Sequence, residues 1–252
     1  MPYGSHMSGN ASMSGILTTA LFLSLLISCS TNNQITRSGM EQDYWIWPGR
    51  DLEDYRNVER LYMFQGHFDR HQRRLRFRHR GGLPRELAGF DGEMILTYRI
   101  DNLVSVGALL RLYQLQEQAW ADHGIRVIGL QIDYDSPSRR LGSYAWWLKE
   151  IRKRLRETDE LSITGLADWL VSAKPKDLRA ISKVTDYTAY MMYQGSSPLK
   201  RPDRYLHALA RRDLPFRMGL LSQQTGEARY QRLQKIRAYQ GQIIFLLPGE
   251  TN

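Results

Sequence analysis

The chain has 252 residues, 42% of them hydrophobic and 24% charged, an ordinary globular composition with room for one barrel-sized domain or two small ones. It contains a single cysteine, Cys29, which excludes a disulfide framework and, if that residue carries lipid, also cysteine-based metal or nucleophilic chemistry. The formal net charge is +9. A surface of that sign in a cell envelope attracts anionic lipid headgroups or acidic polysaccharide rather than nucleic acid, and it also serves solubility alone.

Residues 15–28 form an uncharged apolar run that ends at Cys29. The run is shorter than the roughly 18 residues of a bilayer-spanning helix and has the length of a signal-peptide core. Leu26-Ile27-Ser28-Cys29 resembles a lipobox, in which the cysteine is diacylated and becomes the first residue of the mature protein. Residues 1–28 then read as signal peptide, with Gly4-Ser5-His6-Met7 as a vector scar. Residues 29–40 read as a lipidated cysteine on a flexible polar tether, and 41–252 as the folded domain. No Lys or Arg precedes the apolar run, so a buried core helix with a chance cysteine is the competing reading. Ser30 after the cysteine is compatible with sorting to the outer membrane.

Beyond the tether, short apolar or β-branched runs alternate with longer segments of helical period. Tyr44-Trp45-Ile46-Trp47, stopped by Pro48-Gly49, reads as a first strand, 60–68 as a second and 93–100 as a third. A helix follows over 104–123, with Leu109, Leu112, Leu115 and Ala119 at helical spacing and Gly124 as its stop. The fourth strand, 126–134, is apolar almost throughout its first half, as a parallel strand covered on both faces requires. An amphipathic helix over 141–156 buries Leu141, Tyr144, Leu148, Ile151 and Leu155. Strands at 161–166, 187–193, 216–221 and 242–247 complete the set, with helical segments from Asp168, over 202–211 and over 226–239. Eight strands separated mostly by helices predict an α/β fold of the (β/α)8 barrel type, irregular in its first two units; an open doubly wound sheet gives a similar pattern.

Between the second and third strands, Arg74-Leu75-Arg76-Phe77-Arg78-His79-Arg80 alternates with period two and ends in Gly81-Gly82. It predicts a β-ribbon that returns along the second strand through a turn at 70–72, with four arginines on one face. Those arginines suit an anionic ligand, or else mark a solvated edge that uses charge against aggregation.

In a parallel barrel the active site is built at the C-terminal ends of the strands. At the end of the fourth strand Gln131, Asp133 and Asp135 lie two apart and, while the chain stays extended, face the barrel interior together. Inward carboxylates are costly to desolvate unless they bind something or hydrogen-bond one another, and two close together push one pKa upward. One acid that keeps its proton beside one that has lost it is what a glycosidase needs. Asp135 or Ser138 could instead cap the helix that follows. Other strand ends supply Trp47, Gln65, His67, Tyr98, Arg99, Asp101, Asp168, Trp169, Tyr193, Gln194 and Gln223. Of these, Arg99, Trp47, Tyr98, Trp169, Tyr193, Gln194 and His67, with Gln131, are the candidates for substrate binding: aromatic faces stack on sugar rings and Arg pairs with carboxylates, although buried aromatics also serve as core. His67 and Asp69 could join Asp133 at a metal, but the spacing matches no ligand motif, and no metal or other cofactor is expected. There is no phosphate-binding Gly loop, nucleophile elbow or HExxH, so nucleotide, serine-hydrolase and zinc-protease chemistry find no support.

The segment 129–137, with Arg140-Leu141-Gly142-Ser143-Tyr144 and the run from Leu161 to Leu170, resembles an uncharacterised family of secreted bacterial proteins. Its members carry a QxDxD strand, a Leu-xx-Tyr helix and a SITxLxxWL strand, and are similar to glycoside-hydrolase barrels. The likeness covers residues 41–250 and implies the barrel fold, export, and importance for Gln131, Asp133, Asp135 and Trp169; it carries no established activity. Members often have Cys where this chain has Ser136. Chitinase-like barrels end the corresponding strand in DxDxE, and Pro137 stands here in the place of that Glu, which argues against a substrate-assisted mechanism. The expectation is therefore a lipid-anchored glycosidase of the cell envelope acting on a polysaccharide, with Asp133 as base or nucleophile, Asp135 as general acid or its partner, and Arg99 and Trp169 positioning the substrate. The alternative is a non-catalytic envelope protein that binds a polysaccharide or a partner protein through the same cleft or the arginine ribbon. Nothing in the sequence points to an oligomeric state.

Overall fold

The computed structural model describes residues 42–47, 55, 58–71, 74–82, 87 and 89–246, and for residues 42, 70, 71 and 74 the backbone alone. The apolar run, Cys29 and the tether lie outside the described residues, as do the ribbon's turn at 72–73 and the chain from 247 onward. No helix among the described residues is long and apolar enough to cross a membrane.

The predicted alternation gives β1 (Gln42–Ile46), β2 (Arg60–His71), β3 (Arg74–His79), β4 (Glu93–Ile100), β5 (Arg126–Asp133), β6 (Glu160–Leu166), β7 (Tyr187–Met191), a small hairpin of β8 (Tyr193–Gln194) and β9 (Ser197–Pro198), β10 (Phe216–Leu221) and β11 (Tyr239–Phe245). Eight of these pair in parallel in the order β1, β11, β10, β7, β6, β5, β4, β2. What separates a barrel from an open sheet is the last pairing. Tyr44, Trp45 and Ile46 of β1 lie in register with Leu61, Tyr62 and Met63 of β2, so the sheet closes on itself and no strand of the ring has a free edge. The fold is the expected (β/α)8 barrel.

Strand parity sorts the side chains into two cores. Trp45, Tyr62, Ile95, Tyr187, Ala189 and Ile243 point inward and fill the barrel, while Leu61, Met63, Met94, Leu96, Leu130, Ile132 and Ile163 point outward under the helices. Gly219 on β10 leaves room for Trp45, whose ring would stand 2.8 Å from a Cβ there. The helices are α1 (Val106–Ala121), α2 (Leu141–Arg152), α3 (Trp169–Ser172), α4 (Pro175–Ser182), α5 (Asp203–Ala210) and α6 (Ala228–Gln231). Ser105 caps α1 by accepting the Ala108 amide, and Gly124 follows with the positive φ of a helix stop.

Three expected elements differ. The segment from Asp168 splits into α3 and α4, because Pro175 lacks an N–H and can only open a new helix. The stretch 226–239 yields α6 and a 3-10 turn over Arg232–Lys235 instead of one helix. The sixth ring strand stops at Met191; Tyr193 and Gln194 leave the barrel wall in the β8–β9 hairpin, turned by Gly195 at φ 58°.

The arginine segment does form a ribbon. β3 pairs antiparallel with the outer half of β2, from Gly66↔His79 to His71↔Arg74. Phe77 packs under it on Phe68 and Tyr98 at ring separations of 4.8 and 6.1 Å. Arg76 and Arg78 on the opposite face both engage Asp69, so the strip is partly neutralised from within β2.

At the N-terminal end of the barrel the interior holds charge. Asp43 pairs with Arg217, Arg60 joins Glu93 to Glu160, and the Tyr62 and Tyr187 hydroxyls share a 2.6 Å hydrogen bond. Burial pushes the Asp43 carboxyl up to about 6, against the pull of Arg217. A folded-state pKa above the unfolded one favours the fold below the unfolded pKa, and that contribution is lost as pH rises through about 6. We therefore expect the wild type to lose about 2 kcal/mol relative to Asp43→Asn between about pH 4 and pH 7.5. Urea denaturation of both proteins at the two pH values measures this, and a pH-independent difference would refute it.

Candidate active site

β5 brings its polar residues to the barrel's upper end by parity. Leu130 and Ile132 face the helices, so Gln131 and Asp133 face the interior. Gln131 is completely buried: its Oε1 accepts from Trp45 Nε1 at 2.6 Å and from Thr97 Oγ1 at 3.3 Å, and its Nε2 donates to Ser162 Oγ at 3.2 Å. With its amide engaged on both ends, it supports the floor of the site and does not line it.

Asp133 ends β5, in register with Arg99 on β4. Arg99 Nη1 donates to Asp133 Oδ2 at 2.8 Å, and Thr164 Oγ1, from β6, donates to Oδ1 at 2.8 Å. The other terminal nitrogen of Arg99, Nη2, donates to Asp135 Oδ2 at 2.8 Å. One guanidinium thus joins both acids. Their accessibility differs sharply: the Asp133 side chain is 4% exposed and that of Asp135 46%. Burial pushes the Asp133 carboxyl above its usual range against the opposing effects of Arg99 and Thr164, and the Asp135 charge adds to the rise. Burial disfavours the Arg99 cation, but the two carboxylates outweigh it and raise its pKa.

Past Asp133 the chain turns, with the Ser136 amide donating to the Tyr134 carbonyl at 2.7 Å. Tyr134 goes outward onto Tyr144, and Asp135 comes to the cavity. It does not cap a helix: neither the 3-10 turn at Ser138–Arg140 nor α2 has a side-chain cap. Ser138 instead donates to Asp168 at 3.3 Å.

The cavity at this end has a volume of about 680 Å3. Trp45, Thr97, Arg99, Asp133 and Thr164 form its polar side, with Asp135 at the mouth. Trp47, Tyr193 and Phe245 form an aromatic wall: Tyr193 and Phe245 stack at 5.7 Å with an interplanar angle of 8°, and Trp47 meets Phe245 edge-on at 5.9 Å. Gln194, Gly195 and Ser196 of the β8–β9 hairpin complete the rim. The Tyr193 hydroxyl is pushed up first by burial and then by the charges of Asp133 and Asp135.

Of the residues singled out in the sequence, Asp133, Asp135, Arg99, Trp47, Tyr193 and Gln194 therefore meet around one cavity. Three further substrate-binding candidates, like Gln131, do not line it. Tyr98 sits between two inward residues and so must face outward, where its hydroxyl donates to Gln116 at 2.6 Å. Trp169 is buried in the outer core, and its Nε1 donates to the Ser136 carbonyl at 2.8 Å; it fixes the loop that carries Asp135 without touching the cavity. His67 follows the irregular register at Phe64/Gly66 in β2 and pairs with Asp101 at 2.8 Å. Among the described residues no group of three His, Cys, Asp or Glu is placed to hold a metal ion. Sequence reasoning missed Trp45, Thr97, Thr164 and Phe245. Parity was the signal for two of them: Thr97 lies two residues from Arg99, and Trp45 two from Trp47.

The sequence pattern of the family described as a domain of unknown function (DUF3142) matches residues 97–199. That span contains Arg99, Asp133, Asp135, Thr164 and Tyr193, and the match bears out the suspected resemblance. No curated protein matches the chain in sequence. Among solved structures, the xylanase-A-amylase inhibitor protein XAIP-III superposes with a TM-score of 0.56 at 11% identity, covering 82% of this chain and 93% of that one. The xylanase and α-amylase inhibitor XAIP-II from Scadoxus multiflorus gives 0.54 at 12% identity, over 82% and 92%. The Bacillus cereus spore cortex-lytic enzyme SleL gives 0.47 at 14% identity over 72% of this chain, which spans about half (50%) of the length of SleL. At these identities the likeness to the two inhibitors establishes the barrel and nothing about activity.

Proposed function

We propose that the protein binds an oligosaccharide in this cavity and hydrolyses it by carboxylate chemistry. The observation that carries the reading is the pair Asp133 and Asp135 joined by Arg99 beneath an aromatic wall. Aromatic rings stack on the apolar faces of sugars, and threonine hydroxyls and carboxylates bond their hydroxyl groups. Accessibility divides the roles. Asp135 is open at the mouth and exchanges the proton with the glycosidic oxygen. Asp133 is recessed, with both oxygens held by Arg99 and Thr164, which leaves it badly placed to attack an anomeric carbon. It acts by holding Arg99 beside Asp135; water attacks the anomeric carbon as Asp135 gives its proton to the leaving oxygen, and the proton lost by the water passes to solvent, from which Asp135 is reprotonated.

A second reading, a binding protein without turnover, is favoured by the engagement of both acids with one arginine. Incubation with a panel of neutral, acidic and amine-bearing polysaccharides, followed by reducing-end assay and calorimetry, separates the two. Release of reducing ends supports the hydrolase. Binding without release selects the second reading, and neither binding nor release rejects both.

We also propose that Cys29 carries a lipid that holds the protein in the cell envelope, most consistently at the outer membrane, where its polysaccharide would lie. The support is the uncharged apolar run at 15–28 ending at the only cysteine. The full chain expressed in a bacterium should enter the detergent phase on Triton X-114 partition, and Cys29→Ser should move it to the aqueous phase. Equal partition of the two proteins would rule out lipidation at this residue.

A further inference from the structure

We infer that the cleft selects saccharides bearing a free amine, such as de-N-acetylated amino sugars, over their N-acetylated counterparts and over uronates. This rests on the saccharide reading above and adds the charge of the substrate to it. Among the described residues that line the cavity Arg99 is the only cation, and its two terminal nitrogens each donate to one of the acids. With both carboxylates ionised the described lining residues hold one uncompensated negative charge, in a chain whose net charge is +9. The basic surface therefore says nothing of the ligand: the described residues of the cleft have the opposite sign.

The geometry makes the preference specific. Among the described residues a uronate carboxylate entering the cleft finds only Arg99, whose charge is already shared between two acids, and it stands beside both like charges. An ammonium group displaces nothing. Its three donors meet the exposed Asp135 carboxylate at the mouth, while the sugar ring rests on the aromatic wall. N-acetylation removes that charge while leaving the ring to stack on the same wall, so the N-acetylated oligomer keeps the aromatic contribution and loses the electrostatic one.

The test is calorimetric binding of the full chain to equal-length oligomers of glucosamine, N-acetylglucosamine and galacturonate, at low and high salt, with Asp135→Asn alongside. We expect the glucosamine oligomer to bind at least about tenfold more tightly than the N-acetylated one, and galacturonate not to bind measurably. That lead should shrink at high salt and largely vanish in Asp135→Asn, whose unfolding temperature confirms that it folds. Equal or tighter binding of the N-acetylated oligomer, any preference for galacturonate, or a lead that survives Asp135→Asn unchanged would each overturn the inference. If the neutral oligomer binds and the amine gains nothing, the charge argument falls while the saccharide reading stands. If none of the three binds, the amine preference falls and the polysaccharide panel alone decides the broader reading.

Discussion

Replacing Asp135 by Asn lowers the turnover of a cleaved oligosaccharide by about 10²–10⁴-fold, the range in which a positioned acid or base contributes, and leaves the fold almost unchanged. The asparagine amide fills the same volume at the mouth of the cavity but cannot exchange a proton at neutral pH. Stability is spared because the Asp135–Arg99 pair is solvent-exposed on the Asp135 side, and such pairs contribute about 0–1 kcal/mol. Measuring kcat, KM and the unfolding temperature together gives the result its meaning. A fall in kcat with an unchanged unfolding temperature supports the assignment; retention of wild-type kcat would remove Asp135 from the chemistry and return the cavity to a binding role. Asp133→Asn should also lower kcat, but with a change in stability, since that carboxylate is buried between Arg99 and Thr164.

Replacing Arg99 by Ala has the largest expected effect on stability, about 3 kcal/mol lost at pH 7.5. Removing one partner of a buried pair leaves an uncompensated charge, at a cost of about 3–5 kcal/mol, and the lower end applies because the Arg99 side chain is itself 35% exposed. The pH dependence identifies the cause. Burial already holds the Asp133 carboxyl above its unfolded value, and Arg99 is the largest influence that lowers it. Without Arg99 the folded-state pKa rises further. The destabilisation of the variant is then fully present above that raised pKa, and it disappears as pH falls below about 3.8, where Asp133 is protonated in folded and unfolded chains alike. Urea denaturation across this range measures it, and the double variant Arg99→Ala/Asp133→Asn should recover much of the loss. A loss that does not change with pH, or that persists in the double variant, would show that Arg99 acts by packing and not by balancing Asp133.

Much of this architecture could be read from local pattern. The β4 boundaries at Glu93–Ile100, those of β10 at Phe216–Leu221, the α1 stop at Gly124 and the returning ribbon at Arg74–His79 all follow from periodicity and turn chemistry among near neighbours in the chain. The candidate site was legible to the same degree. Asp133 and Asp135 were marked by polar residues where a strand core should be apolar, and Arg99 and Trp47 by their places at strand ends. Tyr98 is a case in which the sequence contained its own correction, because two adjacent residues of a strand cannot both face the barrel, and Thr97 was the residue to choose with Arg99. Trp169 and His67 could not be placed by such a rule. One depends on how the loop after β6 turns into α3, and the other on an irregular register in β2.

The sequence by itself determined the eight ring strands, their alternation with helices, the inward polar run of β5 and the apolar segment that ends at Cys29, because each is written within a few residues by spacing and side-chain type. Only the tertiary structure decided that the sheet closes through β1 and β2, that Arg99 reaches both acids, and that Asp135 is open while Asp133 is recessed. These depend on which strands become neighbours across 30 to 200 residues of chain. Burial, and with it the cost of a charge, belongs to that arrangement and not to any single segment.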